Sequence, residues 1–193
     1  MAITFKELKQ YISRVVRISV CFIDGHYENY TLVSDIPDGK YDNLYIYGIG
    51  MIDVEFPRDV YAKPQRENTK TVSLKDDFMG CGLEIVVQEE PRDDIERHDN
   101  QRLCFGDLRN YLQIGRNFSV VRREDWSSEE YEWRKDIPEE YDSLYVYGIG
   151  LEDNRREVIN PQYENIRDSY LTKQMVIVLS KEARKDIKND IFE

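Results

Sequence analysis

Tyr41-Asp42-Asn43-Leu44-Tyr45-Ile46-Tyr47-Gly48-Ile49-Gly50 recurs as Tyr141-Asp142-Ser143-Leu144-Tyr145-Val146-Tyr147-Gly148-Ile149-Gly150, and eight of the ten positions are identical. Working outward, Asp35-Ile36-Pro37 precedes the first copy and Asp136-Ile137-Pro138 the second, with one residue deleted between Pro and Tyr. Phe5, Leu8 and Tyr11 match Phe105, Leu108 and Tyr111 upstream. Downstream, Pro64-Gln65-Arg66-Glu67-Asn68 answers Pro161-Gln162-Tyr163-Glu164-Asn165, and Leu83-Glu84-Ile85-Val86-Val87 answers Met175-Val176-Ile177-Val178-Leu179. Matched blocks in one order define a tandem duplication, with modules expected at 1–97 and 98–193.

Each block carries a local signal. Thr4 with Glu7 three residues later has the capping-box spacing, and Phe5, Leu8, Tyr11 and Ile12 fall on one helical face. The second copy keeps that face through Phe105, Leu108, Tyr111 and Leu112, with Asp107 in the first turn, where the helix dipole favours an acid. Residues 15–23 are rich in β-branched and apolar side chains, Asp24-Gly25 is a hairpin signal, and residues 27–33 read as the return strand. Their counterparts are residues 118–122, a longer polar turn through Glu124-Asp125, and residues 130–134.

The aromatic block from Tyr45 to Gly50 reads as a central strand, and Leu83 to Val87 as a buried final one. The expected class is α+β, each module being one helix packed on an antiparallel sheet of about four strands. The charged segment 89–102 reads as the linker, with room for a short helix because Asp94-Ile95 aligns with Asp186-Ile187. Gly48 and Gly50, two apart in a strand, mark either a sharp bend or a place where a ligand or partner lies against the backbone.

Composition narrows the function classes. Against 38 acidic residues stand 27 basic ones, a formal net charge of −11. Such a field repels nucleic acid and anionic membrane and attracts basic protein surfaces, so neither direct nucleic-acid binding nor membrane binding is expected. The N-terminus lacks a basic start followed by an apolar core, and no apolar run of about 20 residues could span a bilayer. With Cys21, Cys81 and Cys104 at no framework spacing, the expectation is a reduced, cytoplasmic protein.

Chemistry is sparsely signalled. The histidines are His26 and His98, neither at ligand spacing from another His or Cys, and no C-x-x-C occurs, so no metal site is expected. Cys81 lies between glycines but has no His tied to it. Gly48-x-Gly50 lacks the third glycine of a dinucleotide fingerprint, and Asp38-Gly39-Lys40 is a turn that the second copy replaces with Glu139-Glu140, so no cofactor is expected. Acid pairs at Asp76-Asp77, Glu89-Glu90, Asp93-Asp94, Glu129-Glu130 and Glu139-Glu140 would serve a metal-dependent hydrolase only if held in a cleft.

The distinctive pattern is acids alternating with aromatics. It is densest in the second copy, through Glu124, Asp125, Trp126, Glu129, Glu130, Glu132, Trp133, Glu139 and Glu140. On a strand, Glu130 and Glu132 would share a face at about 6.6 Å, a row of charges flanked by rings that resembles a nucleic-acid backbone beside its bases. Those nine residues are the expected partner-binding set. The expectation is a non-enzymatic acidic binding protein that occupies the basic nucleic-acid groove of an enzyme, in the manner of anti-CRISPR or anti-restriction inhibitors, with a CRISPR effector or restriction enzyme as partner. An adaptor that joins proteins through its aromatic strands is the alternative, and the hydrolase comes third. Exposed strands of the Tyr45 or Tyr145 kind would also allow a dimer.

Overall fold

The computed structural model describes residues 2–55, 79–95, 102–113, 117–159 and 167–185. The chain is mostly β, and the tandem arrangement appears as two four-stranded sheets of identical topology. The first module runs α1 (Phe5–Lys9), β1 (Ile18–Phe22), β2 (Tyr27–Tyr30), β3 (Tyr45–Glu55) and β4 (Met79–Gln88). The second runs α2 (Phe105–Arg109), β5 (Phe118–Arg122), β6 (Ser128–Tyr131), β7 (Tyr145–Ile159) and β8 (Arg167–Ser180). Strand orders are β2-β1-β4-β3 and β6-β5-β8-β7.

Three expectations need correction. The sheets are mixed, not antiparallel: β1 runs parallel to β4, with Ile18 opposite Leu83, and β5 runs parallel to β8, with Phe118 opposite Met175. The reason is that the β3–β4 hairpin folds back so that its second strand enters beside β1. The Tyr45–Gly50 block is therefore not central; it opens β3, the last strand in the order, while Leu83–Val87 lies inside the sheet with Leu83, Ile85 and Val87 fully buried. Each helix spans five residues, little more than one turn, too short to form the separate layer expected of an α+β sandwich.

Other local signals are met in part: the return strands are Tyr27–Tyr30 and Ser128–Tyr131 where 27–33 and 130–134 were expected, the later residues turning into bends and 3-10 turns at Val33–Asp35 and Arg134–Asp136. Thr4 caps α1, its hydroxyl accepting from the Glu7 amide at 3.3 Å, and Phe5 and Leu8 are buried beneath it. Asp24-Gly25 closes the β1–β2 hairpin with Gly25 at φ 87°, where a Cβ is disfavoured. Segment 64–68 and its counterpart 161–165 lie outside the described residues, as do His98, Asp76-Asp77, residues 96–101 of the expected linker and the Asp186-Ile187 pair.

The Gly48/Gly50 question resolves into contact between modules. Ile49 donates its amide to the Tyr111 carbonyl at 2.7 Å, and its carbonyl accepts from the Gln113 amide at 2.8 Å. Reciprocally, Ile149 donates to the Tyr11 carbonyl at 2.7 Å and accepts from the Ser13 amide at 2.9 Å. Each module thus lays the segment after its helix along the exposed edge of the other's long strand, a pseudo-twofold exchange that covers both edges. A Cβ on Gly50 would lie 2.1 Å from Gln113 Oε1, and Gln113 in turn donates to Glu84 at 2.7 Å. One hydrophobic core consequently runs through both modules, from Ile3 to Leu179, with Ile49 and Ile149 both fully buried.

A bulge sits beside each junction. The register of β3 on β4 shifts between Ile46 and Gly48, leaving Tyr47 without a ladder partner, and β7 shifts identically at Tyr147. The freed carbonyls are taken up by arginines from beyond the last strand of each module. Arg92 donates to Tyr47 O at 2.9 Å and Arg184 to Tyr147 O at 3.4 Å, each guanidinium also lying over its tyrosine ring.

Candidate functional site

The nine acidic and aromatic residues singled out in the sequence fall on one stretch of the second module: the β5–β6 hairpin, β6, and the two 3-10 turns at Arg134–Asp136 and Glu139–Ser143. In the sheet order β6 has β5 on one side and, among the described residues, no strand on the other. The stretch divides into residues that hold the surface in shape and residues that are presented on it.

Glu124, Asp125 and Glu129 belong to the first group. Glu124 Oε1 accepts from the Lys181 amide at 2.7 Å and from Ser180 Oγ at 3.0 Å, tying the hairpin to the end of β8. The backbone donor holds its carboxyl below the ordinary range. Asp125 folds the turn, accepting from Ser127 Oγ at 2.6 Å and Ser127 N at 3.0 Å, and is likewise held low by those donors. Glu129 accepts from Tyr131 at 2.6 Å and Tyr141 at 3.2 Å, with Arg122 Nη2 at 3.8 Å; the two phenols, Tyr131 first, keep it ionised. Burial, followed by the neighbouring carboxylate, pushes the Tyr131 hydroxyl above its usual value, so it acts as a donor.

Glu130, Glu132, Glu139, Glu140, Trp126 and Trp133 form the second group, all exposed. Glu130 points to the opposite face of β6 from Glu129, where Gln174 Nε2 lies 3.4 Å from its Oε1. The strand ends at Tyr131, so Glu132 is in the following bend and does not continue a row with Glu130 along one strand as the alternation suggested. Trp126 is 59% exposed and Trp133 38%, and the chain contains only these two tryptophans. An exposed indole gives up the burial that usually holds it in a fold.

The platform beneath is stiff for a reason the sequence did not reveal. Arg109, in the last turn of α2, stacks on Phe105 and reaches across residues 134–142. It donates to Ile137 O at 2.7 Å, Pro138 O at 2.8 Å and Arg134 O at 3.2 Å, and pairs with Asp142 at 2.7 Å. Arg134 answers by donating to Leu112 O at 2.8 Å. In the first module the equivalent cation is Lys9, which donates to Ile36 O at 3.3 Å. A guanidinium's five fixed donors can satisfy several carbonyls at once. The only sequence signal for this is Arg109 in place of Lys9 at a repeat position.

The phenol–carboxylate cluster is itself duplicated. Glu28 accepts from Tyr30 at 3.0 Å, Tyr30 and Tyr41 hydroxyls lie 2.7 Å apart, and Lys40 pairs with Glu28. Here the cation, not a phenol, is the main cause that lowers the Glu28 carboxyl. Burial pushes the Cys21 thiol up, the opposite of what a reactive thiolate needs. Among the described residues, no group of three His, Cys, Asp or Glu side chains is arranged to hold a metal ion, and no helix is long and apolar enough to cross a membrane. Comparison of the chain with protein-family models, curated proteins and solved structures finds no significant match.

Proposed function

We propose that this protein is a non-enzymatic inhibitor that uses its second module to occupy the basic nucleic-acid groove of an enzyme, in the anti-CRISPR or anti-restriction manner. The observation that carries the reading is the pairing of both tryptophans, exposed, with the exposed carboxylates Glu130, Glu132, Glu139 and Glu140 on one pinned stretch. Carboxylates supply the charge that a groove built for phosphates attracts, and indoles supply the flat surface that a base would offer. Arg109 and Glu124 hold that stretch before any partner arrives, so little ordering cost falls on binding. The acidic net charge would speed encounter with a basic partner and make it dependent on ionic strength.

The test is displacement of labelled target DNA from a panel of purified guide-loaded CRISPR nucleases and restriction endonucleases, repeated in rising salt. The expected result is release of DNA from at least one member, without DNA cleavage by the added protein, weakening steeply as salt is raised. An adaptor role through the same tryptophans predicts instead protein binding that is indifferent to salt and to nucleic acid. DNA or RNA hydrolysis restored by divalent metal would contradict both.

A further inference from the structure

Trp126 has φ 56°, and among the described residues it is the only one other than glycine at positive φ. The first module shows what the turn prefers. In its hairpin Phe22 N donates to His26 O, and the matching bond in the second module runs from Arg122 N to Ser127 O. The residue preceding each acceptor is Gly25, at φ 87°, and Trp126, at φ 56°. The second turn is one residue longer, but in both an aspartate caps the amide of the closing residue (Asp24 that of His26, Asp125 that of Ser127), and the position between the two is glycine in one copy and the bulkiest side chain in the other. A Cβ in the left-handed region is strained, and more so for a bulky residue. The indole recovers only part of what burial would return in the free molecule, being 59% exposed.

Strain at an aromatic that the fold leaves mostly exposed points to a return in a complex. From this we infer that Trp126 is a base-mimicking anchor that enters the stacking pocket of a groove built to grip unpaired bases. The inference rests on the proposed function and narrows it to partners that hold single-stranded or flipped-out nucleotides. Its surroundings fit that occupant. Glu124 and Asp125, both held ionised by donors of the hairpin and of the end of β8, immediately precede the indole in the chain and set two negative charges beside it. Arg and aromatic side chains that stack bases also stack an indole, and a cation does so more strongly on Trp than on other rings. The glycine at the first module's tip has no ring to offer, so one chain engages one such pocket.

The experiment measures Tm and displacement of labelled target DNA from the nuclease panel for Trp126→Gly, Trp126→Phe and the charge-reversal variant E132K/E140K. Trp126→Gly is expected to keep or raise Tm, by up to about 4 °C, as relief of one left-handed side chain gives in a chain of this size. It should weaken displacement at least about 30-fold, the size of a central anchor, while Trp126→Phe retains most of it. Oligothymidylate should compete better than a duplex of equal length. A fall in Tm for Trp126→Gly, undiminished displacement, or stronger competition by duplex would overturn the anchor. Undiminished displacement by Trp126→Gly together with loss in E132K/E140K would overturn the anchor and leave the proposed function standing. No displacement of DNA from any panel member by the unaltered protein would overturn both.

Discussion

The hairpins around Gly25 and Trp126 join equivalent strands through one matching closing bond, the second turn being one residue longer, and they differ in what they carry. Beneath them the modules are nearly interchangeable: same strand order, same bulge at Tyr47 and Tyr147, same reciprocal bonds at Ile49 and Ile149. At the surface they part. A lysine neutralises Glu28 where phenols hold Glu129, and a lysine makes one bond where Arg109 makes four. Internal duplication thus supplies its own control, since a feature that both copies of the fold need appears twice. The bulge arginines meet that test; Trp126 and Trp133 occur in one copy only, and Arg109 is a fold contact peculiar to the second copy.

The two modules depend on each other most at the junction. Ile49→Ala and Ile149→Ala each empty a fully buried site and should each cost about 2–5 kcal/mol. Because one core spans both modules, urea unfolding followed separately by fluorescence and circular dichroism should remain a single coincident transition for each variant. Two resolved transitions would show that the modules fold apart.

A smaller effect sharpens the comparison at the helix starts. Thr4 and Cys104 have the same backbone, φ −89° and −88°, yet only Thr4 makes a capping bond. Thr4→Ala should cost about 1 kcal/mol, and Cys104→Thr should add about 0.5–1 kcal/mol. Equal loss from both sites would mean that the thiol contributes in a way the cap does not describe.

The smallest effects are in acid. Glu28 and Glu129 both have carboxyls depressed in the fold, so their contribution is fully present above the unfolded value of about 4.3 and is lost as pH falls through the lower folded value. Tyr131→Phe removes the first cause at Glu129, so its titration, followed by carboxyl-carbon NMR, should move up while that of Glu28 stays. Added salt should raise Glu28, held by an exposed ammonium, more than Glu129, held chiefly by neutral phenols.

How much of this was legible beforehand follows physical lines. The duplication, the Thr4 cap, the Asp24-Gly25 hairpin and the buried Leu83–Val87 strand were readable because each depends on neighbours in the chain. The parallel pairing of β1 with β4 was not, since alternation and apolar runs report burial and say nothing of which strand lies alongside. The glycine pair signalled close approach without naming the partner, which proved to be the other half of the same chain. In the candidate site, residue types identified the acidic, tryptophan-bearing stretch. They could not separate Glu124 and Asp125, which bind the fold's own donors, from Glu132 and Glu140, which are presented to solvent. They also could not show that Trp126 takes a glycine's place in the turn.

On the proposed function, binding belongs to one face of a symmetric scaffold and does not come from net charge alone. Two variants test this: E132K/E140K in the second module and D38K/E89K in the first, all four positions being exposed and the change in net charge equal. Displacement of labelled DNA from the nuclease panel should weaken at least about tenfold in the first variant, equivalent to 1.4 kcal/mol, and less than about twofold in the second. Equal weakening in both would contradict the account and assign the effect to overall charge.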